Sequence, residues 1–260
     1  MFKIHLYKPL RLFVLWLLKR IDRDIAIRHH WTGDKIVLSL FKHKGYWYHG
    51  PEREKNEMVR FKRVIKPTDL VAEVGGHIGY TTLWFAKLAY NGKVIVFEPG
   101  QNNLPYIRKN IAKKNNVELV EIGLGSEIGE AVFYEESLTG QNNSFVKDFD
   151  GFKTNAAFSK QEQNIIGRVV KIGRLDDYFE HYGRKPDFIK IDVEGFEFEV
   201  IQGCMLFFQN KWFPKFMVEV QSRQSEIFEL FSNYGYKIYD NHSTEISDKE
   251  TLEKSTTAIR

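Results

Sequence analysis

The sequence predicts an α/β fold, a Rossmann-like, doubly wound and mostly parallel sheet that follows a helical and β extension. Three observations support this prediction. From Asp69 onward, apolar strand-like runs alternate with helix-like segments, a glycine-rich turn follows the first of these strands, and acidic residues stand where several strands end. Such alternation is typical of parallel strands, because each crossover needs a helix to bring the chain back to the same edge.

The composition is that of a folded protein with one main domain. The 260 residues are 43% hydrophobic and 15% aromatic, which is enough to bury a substantial core. A net charge of +4 is mild and does not favour nucleic acid as a partner. Cys204 is the single cysteine, so an internal disulfide and a multi-cysteine metal site are both excluded. This usage fits a reducing compartment, and we expect a cytoplasmic location.

The pattern divides the chain into three parts. Residues 1–66 form an N-terminal extension, residues 67–241 form the α/β domain, and residues 242–260 form a polar tail. We expect this tail to lie at the periphery of the fold.

Within the extension, apolar residues at helical spacing predict an amphipathic helix over residues 9–21, with basic residues around it. Its uninterrupted apolar run is far shorter than the roughly 20 residues that span a bilayer. A signal peptide has little support, because no small-residue cleavage pattern follows. Two alternatives remain: the helix docks on the domain, or it lies on the anionic inner face of a membrane through Phe13, Trp16 and its basic residues.

The remaining helices and strands are predicted from the spacing of apolar residues and from the glycines and prolines that mark turns between them. In the extension, short β structure is predicted over residues 36–48, and a helix over 52–65 ends before Pro67. The α/β domain is then predicted to contain, in order, strand 70–74, helix 80–90, strand 93–97, helix 101–114, strand 117–122, a strand around 131–134, strand 168–173, a short helix 175–181, a strand beginning at 187, helix 196–203, strand 216–220, helix 223–233 and a strand near 236–239.

A polar stretch over residues 135–163 interrupts this order. Long polar connections in a compact domain are either ordinary surface excursions or functional loops. We regard this stretch as the best candidate for a lid or an acceptor-binding loop.

The glycine-rich turn reads V-A-E-V-G-G-H-I-G-Y at residues 71–80. A dinucleotide fingerprint fails there, because Val74 stands where the first glycine should be, and no P-loop motif occurs in the chain. Glu73 at the strand end would repel a pyrophosphate and attract a cationic group. A merely structural turn is the competing interpretation.

The next strand, V-I-V-F, ends in Glu98. A carboxylate at the tip of the second strand of a doubly wound sheet accepts hydrogen bonds from ribose hydroxyls, and a solvated strand-end acid is the alternative. Open α/β sheets bind ligands beyond the carboxyl ends of their strands, so five acids are expected on one rim: Glu73, Glu98, Asp192, Glu194 and Glu219.

S-Adenosylmethionine suits such a rim, because it carries a sulfonium and an ammonium group but no phosphate. Methyl transfer needs alignment of donor and acceptor and a base for the acceptor hydroxyl, and it needs no covalent intermediate on the enzyme.

Four motifs in this order resemble the FkbM-type family of class I S-adenosylmethionine-dependent methyltransferases over residues 69–240. They are E-V-G-G-H-I-G-Y at 73–80, F-E-P at 97–99, R-L-D-D-Y at 174–178 and I-K-I-D-V-E-G at 189–195. The family typically shows D-V-G-A-N-I-G-Y, F-E-P, T-L-D-D and I-K-I-D-V-E-G at these places.

The resemblance implies a site for S-adenosylmethionine. In the glycine turn, Glu73, Gly75 and Gly79 would contact its methionine part, and Asp192 would face the transferred methyl group. The remaining cofactor-binding residues that we predict are Gly76 and His77 in the turn, Glu98 with Pro99 at the ribose, and Gly123 with Leu124 in the 122–125 turn at the adenine. His77 fits a turn residue better than a ligand.

Departures from the family pattern bear on catalysis. The family often shows histidine where this chain has Gln221, which cannot act as a base. Asp192 and Glu219 are therefore the predicted catalytic residues. We predict no metal site, although Asp192, Glu219 and Gln221 could hold a divalent cation through their oxygen atoms.

The sequence thus predicts an enzyme that methylates a hydroxyl of a sugar, a glycan or a small polar metabolite, with residues 142–145 helping to recognise this acceptor. A nucleic-acid methyltransferase is less favoured, because the chain contains no pair of adjacent prolines such as base-amine methylation motifs use. A non-catalytic, membrane-associated module that binds the cofactor is the third interpretation.

Overall fold

The computed structural model describes residues 8–159, 163–240, 244–246 and 256–259. Its helices are Lys8–Arg20 (α1), Lys44–His49 (α2), Lys55–Val64 (α3), Tyr80–Leu88 (α4), Leu104–Ile111 (α5), Asp150–Ser159 (α6), Leu175–Tyr182 (α7), Glu197–Gln202 (α8), Met205–Gln209 (α9) and Gln224–Asn233 (α10). Its strands are Asp24–Arg28 (β1), Lys35–Ser39 (β2), Leu70–Val74 (β3), Lys93–Phe97 (β4), Val117–Val120 (β5), Gly123–Leu124 (β6), Gly129–Glu136 (β7), Ile165–Gly173 (β8), Phe188–Ile191 (β9), Lys215–Glu219 (β10), Ile238–Tyr239 (β11), Glu245–Ile246 (β12) and Thr256–Ile259 (β13).

The main sheet of the described residues has the strand order β12-β11-β13-β10-β9-β3-β4-β5. The five strands from β10 to β5 run parallel, whereas β13 is antiparallel to both β10 and β11. Parallel strands deliver all their carboxyl ends to one edge. Because β3 and β9 are neighbours in the middle of the sheet, the acids at their carboxyl ends, Glu73 and Asp192, lie at its centre.

Helices cover both faces of this sheet, which confirms the predicted doubly wound α/β fold. Residues of one face, such as Val71 and Phe188, pack with Met58 and Phe61 of α3 and with the apolar side of α4. Residues of the other face pack against α7 to α10 in the largest core cluster. Strands buried on both faces are mostly apolar, as β3 and β4 are apart from Glu73 and Lys93.

The N-terminal extension packs on the first of these faces. Ile36 and Leu38 of β2 and Tyr46 of α2 belong to the same core cluster as the central strands. Asn110 of α5 fixes the position of β2, because its side chain accepts a hydrogen bond from the Val37 N–H (2.7 Å) and donates one to the Val37 carbonyl oxygen (3.0 Å). The extension therefore shares the core of the α/β domain.

A smaller sheet with the order β6-β8-β7 stands beside the carboxyl ends of the main strands. Strand β6 follows β5 directly, and β7 pairs with β8 in antiparallel register from Gly129 opposite Ile172 to Glu136 opposite Ile165. The segment between β7 and β8 returns over the edge of the main sheet. This places the polar stretch predicted as a lid next to the strand ends.

The predicted strands 70–74 and 93–97 coincide with β3 and β4, and most other elements of the α/β domain lie within a few residues of their predicted bounds. The β prediction for residues 36–48 is right only for β2. Residues 44–49 form helix α2, because Tyr46 is buried against Tyr80 and His77, and this packing outweighs the strand preference of aromatic residues.

The prediction that residues 242–260 lie at the periphery does not hold for Thr256–Ile259. Strand β13 inserts between β10 and β11, and β12 extends the sheet beyond β11. The polar composition of the segment concealed its sheet pairing, because an antiparallel strand at this end of the sheet needs few apolar residues.

Helix α1 exposes large apolar side chains rather than docking through them: Leu10, Phe13, Trp16, Leu17 and Ile21 are each between 41% and 57% exposed. The apolar face of the predicted amphipathic helix is therefore uncovered. Among the described residues, no helix is long and apolar enough to cross a membrane.

Candidate active site

The glycine turn after β3 brings two strand ends into direct contact. Gly75 has a φ of +92°, and a Cβ atom there would lie 1.8 Å from the carbonyl oxygen of Asp192. The N–H groups of Gly75 and Gly76 both donate to the carbonyl oxygen of Phe97, at 3.0 and 3.2 Å. Glycine at position 75 is thus required by conformation and by space.

The other glycines of the turn serve packing. A Cβ atom on Gly76 would lie 2.4 Å from a methyl group of Val96, and one on Gly79 would lie 3.1 Å from Ile107. Gly79 precedes α4 with a φ of +83° and does not line either of the two cavities described below. Its contact with a cofactor stays a prediction.

His77 connects three parts of the site. Its N–H donates to Glu98 Oε2 (2.7 Å), its Nδ1 lies 2.9 Å from the Tyr46 hydroxyl, and its Nε2 lies 3.4 Å from the carbonyl oxygen of Thr139. Burial lowers the pKa of His77 well below its ordinary value, so the ring is neutral. With both ring nitrogens engaged by the protein, His77 acts as a brace between the extension, the glycine turn and the loop after β7.

Glu98 is buried at the end of β4 and is held from several sides. Its Oε1 accepts from the N–H of Gly100 (2.8 Å) and from Asn103 Nδ2 (3.3 Å), and its Oε2 accepts from His77. Burial raises its pKa to about 7. Because each carboxylate oxygen can accept two hydrogen bonds, Glu98 keeps acceptor capacity toward a ligand.

A first cavity, here the Glu98 cavity, opens between the glycine turn and the small sheet. Polar atoms of Glu98 and Asn103 stand on one side, and Leu124, Phe133 and Phe145 supply apolar walls. Also lining it are the predicted cofactor-binding residues Gly75, His77, Pro99, Gly123 and Asp192. A cavity with apolar walls beside a buried carboxylate is suited to a nucleoside.

Residues 137–145 close one side of this cavity as an ordered loop. Glu136 organises it by accepting hydrogen bonds from the N–H groups of Leu138, Thr139 and Gly140. Ser144 then pairs with Tyr134 of β7 and donates from its hydroxyl to the carbonyl oxygen of Glu194 (2.6 Å). The loop is tied to the strand ends, as a binding loop must be.

Phe145 is the apolar tip of this loop. Its ring packs between Phe133 and Phe196, at centroid distances of 4.8 and 5.0 Å, and lies where a Cβ atom on Gly123 would be. Gly123 and Phe145 therefore fit each other, and the wall of the Glu98 cavity depends on both.

A second cavity, here the Lys190 cavity, adjoins the first and shares Gly75, His77 and Asp192 with it. Its floor carries Glu73 and Lys190, which are buried in β3 and β9. Glu73 Oε2 accepts a hydrogen bond from the Thr82 hydroxyl (2.6 Å), whereas Glu73 Oε1 is buried and has no hydrogen-bond partner among the described residues. Burial raises the pKa of Glu73 to about 7.

Lys190 is the cation at the centre of these acids. Its Nζ lies 2.8 Å from Asp192 Oδ2. Burial alone would lower the pKa of Lys190, but the carboxyl groups of Asp192 and Glu73 raise it above its ordinary value, so it remains charged. One buried ammonium thus holds the Asp192 side chain in place at the tip of β9.

Glu219 ends β10 beside this pair. The neighbouring Asp192 carboxylate and burial raise the pKa of Glu219 to about 8, and the same causes raise the pKa of Glu194. A carboxyl group with a pKa near neutrality is matched to proton abstraction at physiological pH. Asp192 and Glu219 are both present in the Lys190 cavity, as expected for the predicted catalytic pair.

Gln221 turns its amide toward Glu219, with 3.2 Å between Nε2 and Oε1. Its Nε2 thereby donates to the carboxyl group of Glu219. Within the described part of the chain, no group of three or more His, Cys, Asp or Glu side chains is arranged to hold a metal ion.

The sequence profile of the methyltransferase FkbM domain matches residues 73–238, which is more than half of the chain. The chain belongs to this family. The match covers the glycine turn, Glu98, the loop after β7 and the Asp192 strand end, and it confirms the resemblance to the FkbM-type S-adenosylmethionine-dependent methyltransferases.

Two relatives of this FkbM-family chain are fungal. A stretch of 146 residues, 51% of this chain, is 25% identical to Methyltransferase 1 of Beauveria bassiana (strain ARSEF 2860) and covers 57% of that protein. A stretch of 153 residues is 25% identical to Methyltransferase sdnD of Sordaria araneosa, of which it covers 59%. The chain therefore spans less than two thirds of either relative.

Solved structures with a similar course of the chain include the fibrillarin pre-rRNA processing protein of Methanococcus jannaschii, with 17% identity, a TM-score of 0.42 and coverage of 92% of this chain and 81% of that one. Another is M. jannaschii TYW2 in complex with AdoMet, with 13% identity, a TM-score of 0.43 and coverage of 91% and 83%.

Sequence reasoning missed several residues of the site in this FkbM-family chain. Lys190 could have been predicted from the sequence, because a charged residue inside the apolar strand F-I-K-I needs a buried partner of opposite charge. Asn103 could not have been predicted in this way. Tyr46 and Arg53 reach the Lys190 cavity from the extension, and Arg53 lies in a charged run, P-E-R-E-K, that is typical of solvated surface.

We expect Gly75→Ala to lower the free energy of unfolding by about 3 kcal/mol or more, because it combines a strained φ with a clash against the Asp192 backbone. Urea unfolding followed by circular dichroism measures it. Gly183→Ala is the matched control, since Gly183 has a φ of +78° and open space around it, and should cost only about 1 kcal/mol. Equal losses would show that the strand contact is not tight.

Proposed function

We propose that the protein is an S-adenosylmethionine-dependent methyltransferase that methylates a hydroxyl group of a sugar, a glycan or a small polar metabolite. Family membership supports methyl transfer. The observation that carries the proposal is the edge formed by Gly75, Asp192 and Glu219, where a glycine turn meets carboxyl groups instead of a phosphate-binding cradle.

The residues present fit the cofactor. The apolar walls of the Glu98 cavity suit an adenine ring, and Glu98 suits a ribose diol. Two buried acceptor atoms, Asn103 Oδ1 and Glu73 Oε1, have no hydrogen-bond partner among the described residues and suit N–H donors of a ligand. When bound, the cofactor supplies an electrophilic methyl group, and the protein's own groups orient the acceptor and move its proton.

The side of the Lys190 cavity that is lined by Asp192, Glu219 and the loop after β7 fits a polar acceptor. Asp192 and Glu219 stand on its floor, and Gln141 and Asn142 of the loop after β7 face the same space. Ionised Glu219 would take the proton from an acceptor hydroxyl, while Lys190 holds Asp192 in place. Amide and carboxyl groups around such a space favour a ligand rich in hydroxyls over an apolar one.

The proposed function is tested by incubating the purified chain with labelled S-adenosylmethionine and a panel of sugars, glycans and polar metabolites. We expect S-adenosylhomocysteine and a methylated hydroxyl in equal amounts with at least one acceptor. The control is Glu98→Gln, which removes an acceptor oxygen and should weaken cofactor binding measured by calorimetry about tenfold or more. Tight cofactor binding without turnover across the panel would favour the non-catalytic alternative.

The rate should depend on the ionisation of Glu219. Because its pKa is raised to about 8, the fraction of ionised base increases with pH, and kcat/KM should rise up to about pH 8 and then level off. Glu219→Gln should lower kcat about 100-fold or more and abolish this rise.

Asp192→Asn provides the second arm of this pH measurement. It removes the charge that raises the pKa of Glu219, so any remaining activity should rise at lower pH than in the unchanged protein. A pH profile that is unaffected by both substitutions would contradict the role of Glu219 as the base.

We also propose that α1 binds the surface of an anionic membrane. Its exposed apolar side chains are accompanied by Arg20, whose guanidinium lies 4.3 Å from the ring centre of Trp16. Residues 1–21 contain several basic residues and no aspartate or glutamate. An apolar face combined with uniformly positive charge matches an anionic lipid surface.

In vesicle flotation, we expect the protein to bind vesicles that contain phosphatidylglycerol and to dissociate at high salt. The double variant F13S/L17S should lose most of this binding, because it removes apolar area from α1. The control I128S/V169S removes two exposed apolar side chains from the small sheet and should bind normally. Equal binding by both variants would contradict the proposal.

A further inference from the structure

Arg53 is a half-buried cation of the extension that faces the Lys190 cavity. It follows a short 3-10 turn, Gly50–Glu52, and precedes α3, so the extension carries it over the carboxyl end of the sheet. Its side chain is 19% exposed. The family profile begins at residue 73 and does not include it.

Neighbouring side chains position the guanidinium of Arg53, but they leave part of its hydrogen-bonding capacity unsatisfied. The guanidinium lies 4.3 Å from the ring centre of Tyr46, and Nη2 lies 2.8 Å from Glu54 Oε1. Nε is buried and has no hydrogen-bond partner among the described residues. A buried guanidinium N–H without an acceptor is costly, so a ligand oxygen at this place would be stabilising.

Two features of the chain keep this arrangement. Gly45 leaves room for the guanidinium, because a Cβ atom there would lie 2.8 Å from Arg53 Nη1. Glu54 has a φ of +52°, a region that residues other than glycine seldom adopt. Unusual backbone conformations persist where the surrounding structure requires them.

The Lys190 cavity therefore presents an unpaired donor and an unpaired acceptor. Arg53 Nε stands on the side of the extension, and Glu73 Oε1 stands on the floor of the sheet. A ligand that carries both a carboxylate and an ammonium group, as an α-amino acid does, matches both. An anionic acceptor alone would satisfy Arg53 and leave Glu73 unmatched.

We propose that Arg53 binds the α-carboxylate of the cofactor's methionine part, opposite Glu73, which accepts from its ammonium group. The extension thereby completes the cofactor site with a residue that precedes the matched residues 73–238. This inference rests on the proposed function, because it takes S-adenosylmethionine as the ligand of the adjoining cavities.

Calorimetry with two ligands tests the proposal without any turnover. S-Adenosylhomocysteine carries the α-amino acid group, whereas 5′-methylthioadenosine has the same nucleoside and lacks that group. Arg53→Gln should weaken binding of S-adenosylhomocysteine at least tenfold and change binding of 5′-methylthioadenosine less than twofold. The second ligand also reports whether the variant is folded.

Matched variants sharpen this test. Arg63→Gln makes the same replacement at an exposed position of α3 and should bind both ligands as the unchanged protein does. Gly45→Ala keeps Arg53 but displaces its guanidinium, so it should weaken S-adenosylhomocysteine binding selectively and to a smaller extent.

The outcomes separate this inference from the proposed function. If the unchanged protein binds neither ligand, the proposed cofactor is wrong and the inference is overturned with it. If Arg53→Gln binds S-adenosylhomocysteine normally, or loses both ligands equally, the assignment of Arg53 is overturned while the proposed function stands. Normal cofactor binding with a raised KM for the acceptor would assign Arg53 to an anionic acceptor instead.

Discussion

The contact between the ends of β3 and β9 is the constraint on which the site depends. With a side chain at position 75, the carbonyl group of Asp192 would be displaced, and the two central strands could not end side by side. Their adjacency puts Glu73, Lys190 and Asp192 into one small volume. The N–H groups of the same turn tie it to β4 through Phe97 and Glu98, so the register of three strands is fixed at the point where a ligand would bind.

This crowding has an electrostatic consequence. Glu73, Glu98 and Glu219 all have raised pKa values, because burial and mutual repulsion disfavour their charged forms. A single ammonium, Lys190, offsets part of this negative charge through Asp192. Raised carboxyl pKa values also mean that the folded state binds protons more tightly than the unfolded chain, so this part of the stability is lost as the pH rises toward 8. The site is thus less stable in the ionisation state that proton abstraction needs.

The sequence was a good guide where a local pattern determines structure. Apolar runs located β3 and β4, and the position of Glu98 after V-I-V-F predicted its place in the cavity. The sequence was a poor guide where contacts with residues far along the chain determine the local structure. The aromatic run around Tyr46 favoured a strand, yet burial against His77 and Tyr80 makes it a helix. No local pattern marks Arg53 as half-buried, because its burial results from how the extension crosses the sheet edge.

The family domain and the extension supply different parts of the site. Family membership therefore identifies the methyl donor more readily than the acceptor. The matched region supplies the floor of both cavities, with the glycine turn and the strand-end acids. The opposite wall of the Lys190 cavity includes Tyr46 and Arg53, which lie outside that region. A sequence pattern common to the family specifies only those ligand groups that contact residues of the pattern. The shape and charge of the remaining wall belong to this chain. Because Arg53 is assigned to the cofactor, we expect the acceptor to be chosen where that wall meets the loop after β7, at Gln141 and Asn142.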